Sequence, residues 1–257
     1  MANARFVPHL VLVEYPSPGP RWLGRRVCGK ILVVFGLPIR DWDRDEPLMK
    51  SRFHVVYLTG APASGKSSVT KALAGLVAPL EVFEYGERLT RFLQDRREGS
   101  LTQQRLRQES AGLARPEDIR AVDRQLLEFV AENRLRSNVV IDTHAVTKEQ
   151  YGFRITPYSL DHFALLSPDT ICVLYTPPRV SVERIGRDPA GRPLVSEWEA
   201  GFHSGLQASV AVTYGMSLGL PVYLVDSSGP VEQVAAEVAK RFGKPRDAND
   251  TGRQRDQ

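Results

Sequence analysis

Cysteine is almost missing from this 257-residue chain. Cys28 and Cys172 are too few and too isolated for a disulfide framework or a thiolate metal site. Cys172 lies in the apolar run Thr170 to Tyr175 and reads as a small core residue. Long hydrophobic runs are lacking as well; none approaches the roughly 20 residues needed to span a membrane. The opening Arg5-Phe-Val-Pro-His-Leu-Val-Leu-Val has no small-residue cleavage site and is interrupted by Pro8, so no signal peptide is expected and a cytoplasmic location is. Nor does one charge dominate: 34 Lys and Arg stand against 30 Asp and Glu. The net +4 and pI near 9.1 suit anionic small molecules or weak nucleic-acid contact without demanding either. No internal repeat is visible. What is there is ordinary for a globular chain, 42% hydrophobic and 25% charged, enough for one large domain or one domain with an appendage.

The first 50 residues differ from the rest. They hold Pro8, Pro16, Pro18, Pro20, Pro38 and Pro47, two strand-like runs (Leu10 to Tyr15, Lys30 to Phe35) and no helical period. Residues 1–50 read either as an N-terminal extension of little catalytic weight or as lying outside a natural product that begins at Met49. From His54 onward, apolar runs at Val55 to Leu58, Leu80 to Phe83, Asn138 to Ile141, Thr170 to Tyr175 and Pro221 to Val225 alternate with helical patterns. Those patterns cover Lys66 to Val77, Gly86 to Arg97, Pro116 to Leu135, Pro178 to Ile185, Ser196 to Leu218 and Pro230 to Phe242. Repeated β-α units predict an α/β domain over 51–242: a five-stranded parallel sheet with helices on both faces and ligands at the C-terminal strand ends. The tail 243–257 has no large apolar anchor and is expected to be disordered.

Residues Gly60 to Ser67, Gly-Ala-Pro-Ala-Ser-Gly-Lys-Ser, match the phosphate-binding loop pattern G-x-x-x-x-G-K-[ST] between a strand-like run and a helix. Gly60 and Gly65 let the backbone turn tightly enough for successive N–H groups to converge on an anion, and the helix N-terminus adds partial positive charge. Gly60, Ala61, Ala63, Ser64, Gly65, Lys66, Ser67 and Ser68 are therefore the candidate nucleotide-binding residues. Lys66 would reach the terminal phosphates, and the Ser67 hydroxyl would hold Mg²⁺. Asp142, ending the strand Asn138-Val-Val-Ile-Asp, suits a carboxylate that binds Mg²⁺ through its water shell. His144, two residues on, is a candidate near the phosphate acceptor. His162 and His203 are too scattered to make a zinc or iron site with it.

Arg184 and Arg187, followed by Arg192 in a Gly/Pro-rich bend, are candidates for a short lid at about 184–196 whose cations neutralise charge on a transferring phosphoryl group. A further basic group, Arg88, Arg115 and Arg120, falls in an insertion at about 84–135, where a second phosphorylated substrate would dock; Arg88 and Arg120 are its candidate phosphate contacts.

Val-Val-Tyr-Leu-Thr-Gly-Ala-Pro-Ala-Ser-Gly-Lys-Ser, then Glu84-Tyr-Gly-Glu, then Val-Ile-Asp-Thr-His-Ala, is similar to the archaeal-type adenylate kinases among the P-loop nucleoside monophosphate kinases. The likeness runs on through Lys148, Tyr151-Gly-Phe, Pro157 and Leu166-Ser-Pro-Asp-Thr-Ile-Cys-Val-Leu, and covers about residues 54 to 242. It implies a P-loop NTPase fold, a short lid after Arg184, and transfer of the γ-phosphate of ATP to AMP with Mg²⁺. Where that family carries an Asn-Arg pair after the lid, this sequence reads Gln207-Ala208. Two other readings stay open from the residues: a kinase of another small metabolite, and an ATP-dependent switch protein that binds RNA or a protein partner.

Overall fold

Val55–Gly60 forms the central strand, β1, and every one of its residues is buried. Alternation along it sends Val55 and Tyr57 into one core and Val56 and Leu58 into the other, the pattern of a strand covered on both faces. The computed structural model describes residues 53–97, 113–187 and 192–243. The extension 1–50, the central part of the insertion (98–112), residues 188–191 of the lid and all of the tail beyond 243 lie outside the described residues.

After β1 come α1 (Lys66–Leu73), β2 (Leu80–Glu84), α2 (Tyr85–Arg97), α3 (Pro116–Asn133) and β3 (Asn138–Asp142). A hairpin of β4 (Val146–Glu149) and β5 (Gly152–Ile155) follows, then α4 (Leu160–Leu166), β6 (Thr170–Tyr175), α5 (Pro178–Arg187), α6 (Glu197–Leu218), β7 (Val222–Asp226) and α7 (Val231–Ala239). A single 3-10 turn, Lys240–Phe242, closes the described chain. The five long strands form one parallel sheet in the order β2-β3-β1-β6-β7. The chain leaves β1 toward one edge and later crosses to the other, so a switch point opens at the C-terminal end of β1, where such sheets bind ligands.

One core joins Tyr57, Phe83, Val139, Ile141, Ile171 and Val173 to α2, α3, α4 and α6 through Leu93, Leu126, Phe163 and Tyr214. The other joins Val56, Leu58, Val140, Cys172 and Leu174 to α1 and α7 through Val69, Leu73, Ala235 and Val238. Cys172 is fully buried, and burial pushes its thiol up to about 12, as expected for a core residue. The α/β architecture and the five parallel strands agree with the sequence expectation to within two residues at each strand end. The β4–β5 hairpin and the seven-residue α4 were not anticipated. Each hairpin strand has only four residues, too few for alternation to register, and α4 is carried by its cap, the Ser159 hydroxyl accepting from His162 N at 3.2 Å.

Candidate active site

The loop between β1 and α1 is shaped for an anion. A Cβ on Gly60 would lie 2.5 Å from the Leu174 carbonyl oxygen and 2.6 Å from Ser64 Oγ, so only glycine fits there. Gly65 (φ 84°) and Ala63 (φ 62°) both adopt the left-handed conformation, which is uncommon for alanine and turns successive amides toward the loop's concave side. Ser64 N donates to Ala61 O at 3.2 Å, and the amides of Ser68 and Val69 close the first turn of α1 on Gly65 O. Lys66 Nζ arches back to donate to Gly60 O at 2.8 Å. Ser64 is 2% exposed, yet its hydroxyl has no hydrogen-bond partner.

The loop forms one wall of a cavity of about 620 Å³, within the range of small-molecule sites. Arg184, Arg187 and Arg192 line it beside the loop, and Glu84, Asp142, Thr143 and His144 line it at the ends of β2 and β3. Lys148 and Arg154 enter from the hairpin, and Tyr85, Leu89, Ile119, Asp123 and Tyr158 complete the side away from the loop.

Glu84 and Asp142 are register partners on adjacent parallel strands, so two carboxylates end side by side beneath Lys66. Asp142 is 8% exposed. Burial pushes its carboxyl up to about 6, with Lys66 pulling it down and Glu84 pushing it further up. Ser67, Asp142 and Glu84 all offer hard oxygen donors to the same cavity. Among the described residues no group of three or more His, Cys, Asp or Glu is arranged to hold a metal by itself. That combination fits Mg²⁺, which binds through one or two protein oxygens plus phosphates and water, and does not fit a metal caged by protein alone.

Helix α6 fixes the loop that follows Asp142. Glu199, His203 and Gln207 are spaced four apart and share one face. The Glu199 carboxylate pairs with Lys148 at 3.3 Å, and His203 Nε2 lies 3.0 Å from Val146 O. Gln207, fully buried, accepts from the amides of Ala145 and Val146 at 3.1 Å each and donates to Thr59 Oγ1 at 2.8 Å. Thr59 Oγ1 in turn donates to Thr143 O at 2.8 Å. Burial lowers the His203 pKa, with the hydrogen bond to Val146 opposing it. At the helix start, Ser196 and Glu199 form a capping box, each side chain meeting the other's backbone amide.

Not all of the expected site residues line the cavity. Arg88 does not line the cavity: its guanidinium lies over the rings of Phe83 (5.3 Å) and Phe129 (5.7 Å). Arg120 is exposed on α3 and does not line the cavity either. Successive residues of a helix point about 100° apart, and Glu87, Leu89, Ile119 and Asp123 occupy the cavity side of α2 and α3. Arg184 is within α5, donating to Ala63 O at 3.2 Å and Ser227 O at 2.8 Å, so it is anchored to the loop rather than carried on a hinge. Arg187, at the end of α5, is exposed and 3.9 Å from Glu183. His144 is exposed and lines the cavity.

Lining residues to which sequence analysis gave no role include Glu84, Asp123 and Arg154. Glu84 was legible in principle, as a carboxylate ending the strand beside the one that ends in Asp142. Asp123 was not: it meets Tyr85 across 38 positions of sequence, and an aspartate within a polar helix carries no signal.

The sequence model of the AAA domain matches residues 59–199, more than half of the chain. No curated protein matches it. Among solved structures it is similar to a tunicamycin resistance protein from Deinococcus radiodurans (16% identity, TM-score 0.49, covering 74% of this chain and 96% of that one). It is also similar to a gluconokinase from Sinorhizobium meliloti 1021 (16%, TM-score 0.43, 75% and 93%) and to a sugar kinase from Janibacter sp. HTCC2649 (14%, TM-score 0.42, 73% and 93%). With the family match opening on the last residues of β1 and running across the P-loop, both strand-end carboxylates and the start of α6, the chain belongs to the AAA-domain family.

Proposed function

We propose that this protein is an ATP-dependent phosphotransferase that moves the γ-phosphoryl group of ATP to a hydroxyl of a small metabolite. The observation that carries the reading is one cavity that holds the P-loop and two strand-end carboxylates and extends to a third part lined by Tyr85, Leu89, Ala114, Ile119 and Tyr158. A hydrolase or a switch needs the first two parts and has no use for the third.

The loop amides, Lys66 and Arg184 bind the β- and γ-phosphates and offset the charge that develops on the equatorial oxygens. Mg²⁺, when bound with the nucleotide by Ser67 and by Asp142 through water, supplies further charge neutralisation on the phosphates. Glu84, on the β2 end that leads directly into the chamber wall at Tyr85, accepts the proton of the acceptor hydroxyl. The acceptor oxygen forms its bond to the γ-phosphorus as the bond to the β,γ-bridging oxygen breaks, releasing ADP. Gln207 and His203 act as positioning residues, holding the backbone on which Asp142 and His144 sit.

Transfer to a nucleoside monophosphate, AMP above all, is the reading that the sequence favours. Its support weakens because Arg88 and Arg120 lie away from the cavity, while Glu84, Glu87 and Asp123 line its acceptor side. The test is ADP formation with Mg²⁺ and ATP against a panel of hydroxyl acceptors and monophosphates, with Lys66→Ala as control. Acceptor-stimulated, Lys66-dependent transfer to a hydroxyl is the expected result. ATP hydrolysis indifferent to every small acceptor would overturn it in favour of the switch reading.

A further inference from the structure

Asp123, on the inner face of α3, is 8% exposed and lines the acceptor chamber. Its Oδ1 accepts from the Tyr85 hydroxyl at 2.8 Å, and no other hydrogen bond and no ion pair holds it among the described residues. Around it the chamber is apolar, with Leu89, Ala114, Ile119 and Tyr158. Glu84 and Glu87 line the same cavity, as do Lys148 and Arg154 of the hairpin, and none of them is hydrogen-bonded or ion-paired to Asp123. Burial raises its pKa, and the Tyr85 hydrogen bond and the charges of His162 and Arg124 offset only part of that. A buried carboxylate without an ion-pair partner is costly, and one that faces a substrate chamber is compensated most directly by a cation on the substrate.

Resting on the kinase reading above, we infer that Asp123 receives an ammonium group of the acceptor, so that the second substrate is a hydroxylated amine of the amino-sugar or amino-alcohol class. A neutral hydroxyl would satisfy the free Oδ2 but leave the Asp123 charge without an ion-pair partner. A carboxylate or phosphate at the same point would be repelled by Asp123. Tyr85 holds the aspartate in place and keeps its second oxygen for the ligand.

The experiment uses matched pairs that differ by ammonium against hydroxyl: glucosamine with glucose, and serinol with glycerol, alongside gluconate and AMP as anions. Steady-state transfer from ATP is measured for the wild-type protein and for Asp123→Asn, which keeps the shape and the bond to Tyr85 but removes the charge. A charge-assisted hydrogen bond in such a site corresponds to about tenfold to a hundredfold in kcat/KM. The ammonium member of each pair is therefore expected to lead by that factor in the wild type, and the lead to collapse in Asp123→Asn with the KM for ATP unchanged.

Parity within the pairs, or better turnover with gluconate or AMP, overturns the assignment while leaving Lys66-dependent transfer, and so the kinase reading, intact. If no probe is phosphorylated, calorimetric titration of glucosamine and serinol into protein saturated with a non-hydrolysable ATP analogue decides. Binding that is weakened in Asp123→Asn supports the assignment, and equal or absent binding in both proteins overturns it.

Discussion

Asp142→Asn should make the nucleotide-free protein more stable at neutral pH while removing its activity. In the folded protein the carboxyl is pushed from its ordinary 3.8 up to about 6, chiefly by burial, with Glu84 adding to the effect and Lys66 opposing it. A carboxylate whose pKa is raised on folding binds its proton more tightly in the folded state, so ionisation favours the unfolded chain. The penalty is therefore absent below the unfolded pKa, grows between about pH 4 and pH 6, and is complete above it. At about 1.4 kcal/mol per pKa unit, removing the charge should stabilise the protein by up to about 3 kcal/mol at pH 7. For a domain of this size that is several degrees in Tm, at roughly 2 to 4 °C per kcal/mol. The assay is denaturant or thermal unfolding of both proteins at pH 4 and pH 7 without nucleotide or Mg²⁺. The reasoning fails if Asp142→Asn is destabilised at pH 7, or if its gain is as large at pH 4 as at pH 7.

The same carboxyl should set the pH dependence of activity: at limiting Mg²⁺ the rate of the wild-type protein should fall below about pH 6 as Asp142 takes up its proton, and raising Mg²⁺ should shift the inflection to lower pH. Gln207→Leu removes the partner of two buried amides and of Thr59 Oγ1, so it should cost at least about 2 kcal/mol in chemical denaturation. Arg184→Ala, which loses contacts to Ala63 O and Ser227 O, should lower kcat and raise the KM for ATP. Arg88→Ala gives up only its stacking on Phe83 and Phe129; kinetics with both substrates should stay as in the wild type, and a rise in acceptor KM would restore the phosphate-binding role that its position speaks against.

The fold was legible where burial is two-sided. β1, β3 and β6 are largely apolar because both faces are covered, and two of them end in the residue type their position at the switch point requires: Gly60 for the loop, Asp142 for the cavity. The helix starts were legible from Pro116 and from Ser196 with Glu199, since caps act over three or four residues. What the sequence hid depends on packing between distant segments. Gln207 stands where the resembled family carries an Asn-Arg pair, and only the fold turns it into the tie between β1 and the strand after Asp142. Arg88 and Arg120 looked like substrate contacts from their place in the insertion, but helical phase decides which side of α2 and α3 meets the cavity, and one residue's difference turns a side chain through about 100°. The hairpin that brings Lys148 and Arg154 to the site is held by α6 through Glu199 and His203, a long-range pairing with no local signature.

The central claim is that this cavity transfers a phosphoryl group to a small hydroxyl compound. It is tested most directly by incubating the protein with ATP labelled in the γ-phosphate, Mg²⁺ and a low-molecular-mass metabolite extract, and following the label by chromatography. The account predicts a labelled organic product that appears with wild-type protein and not with folded Lys66→Ala. Label found only in ATP and inorganic phosphate, or a labelled product formed equally by Lys66→Ala, would contradict it.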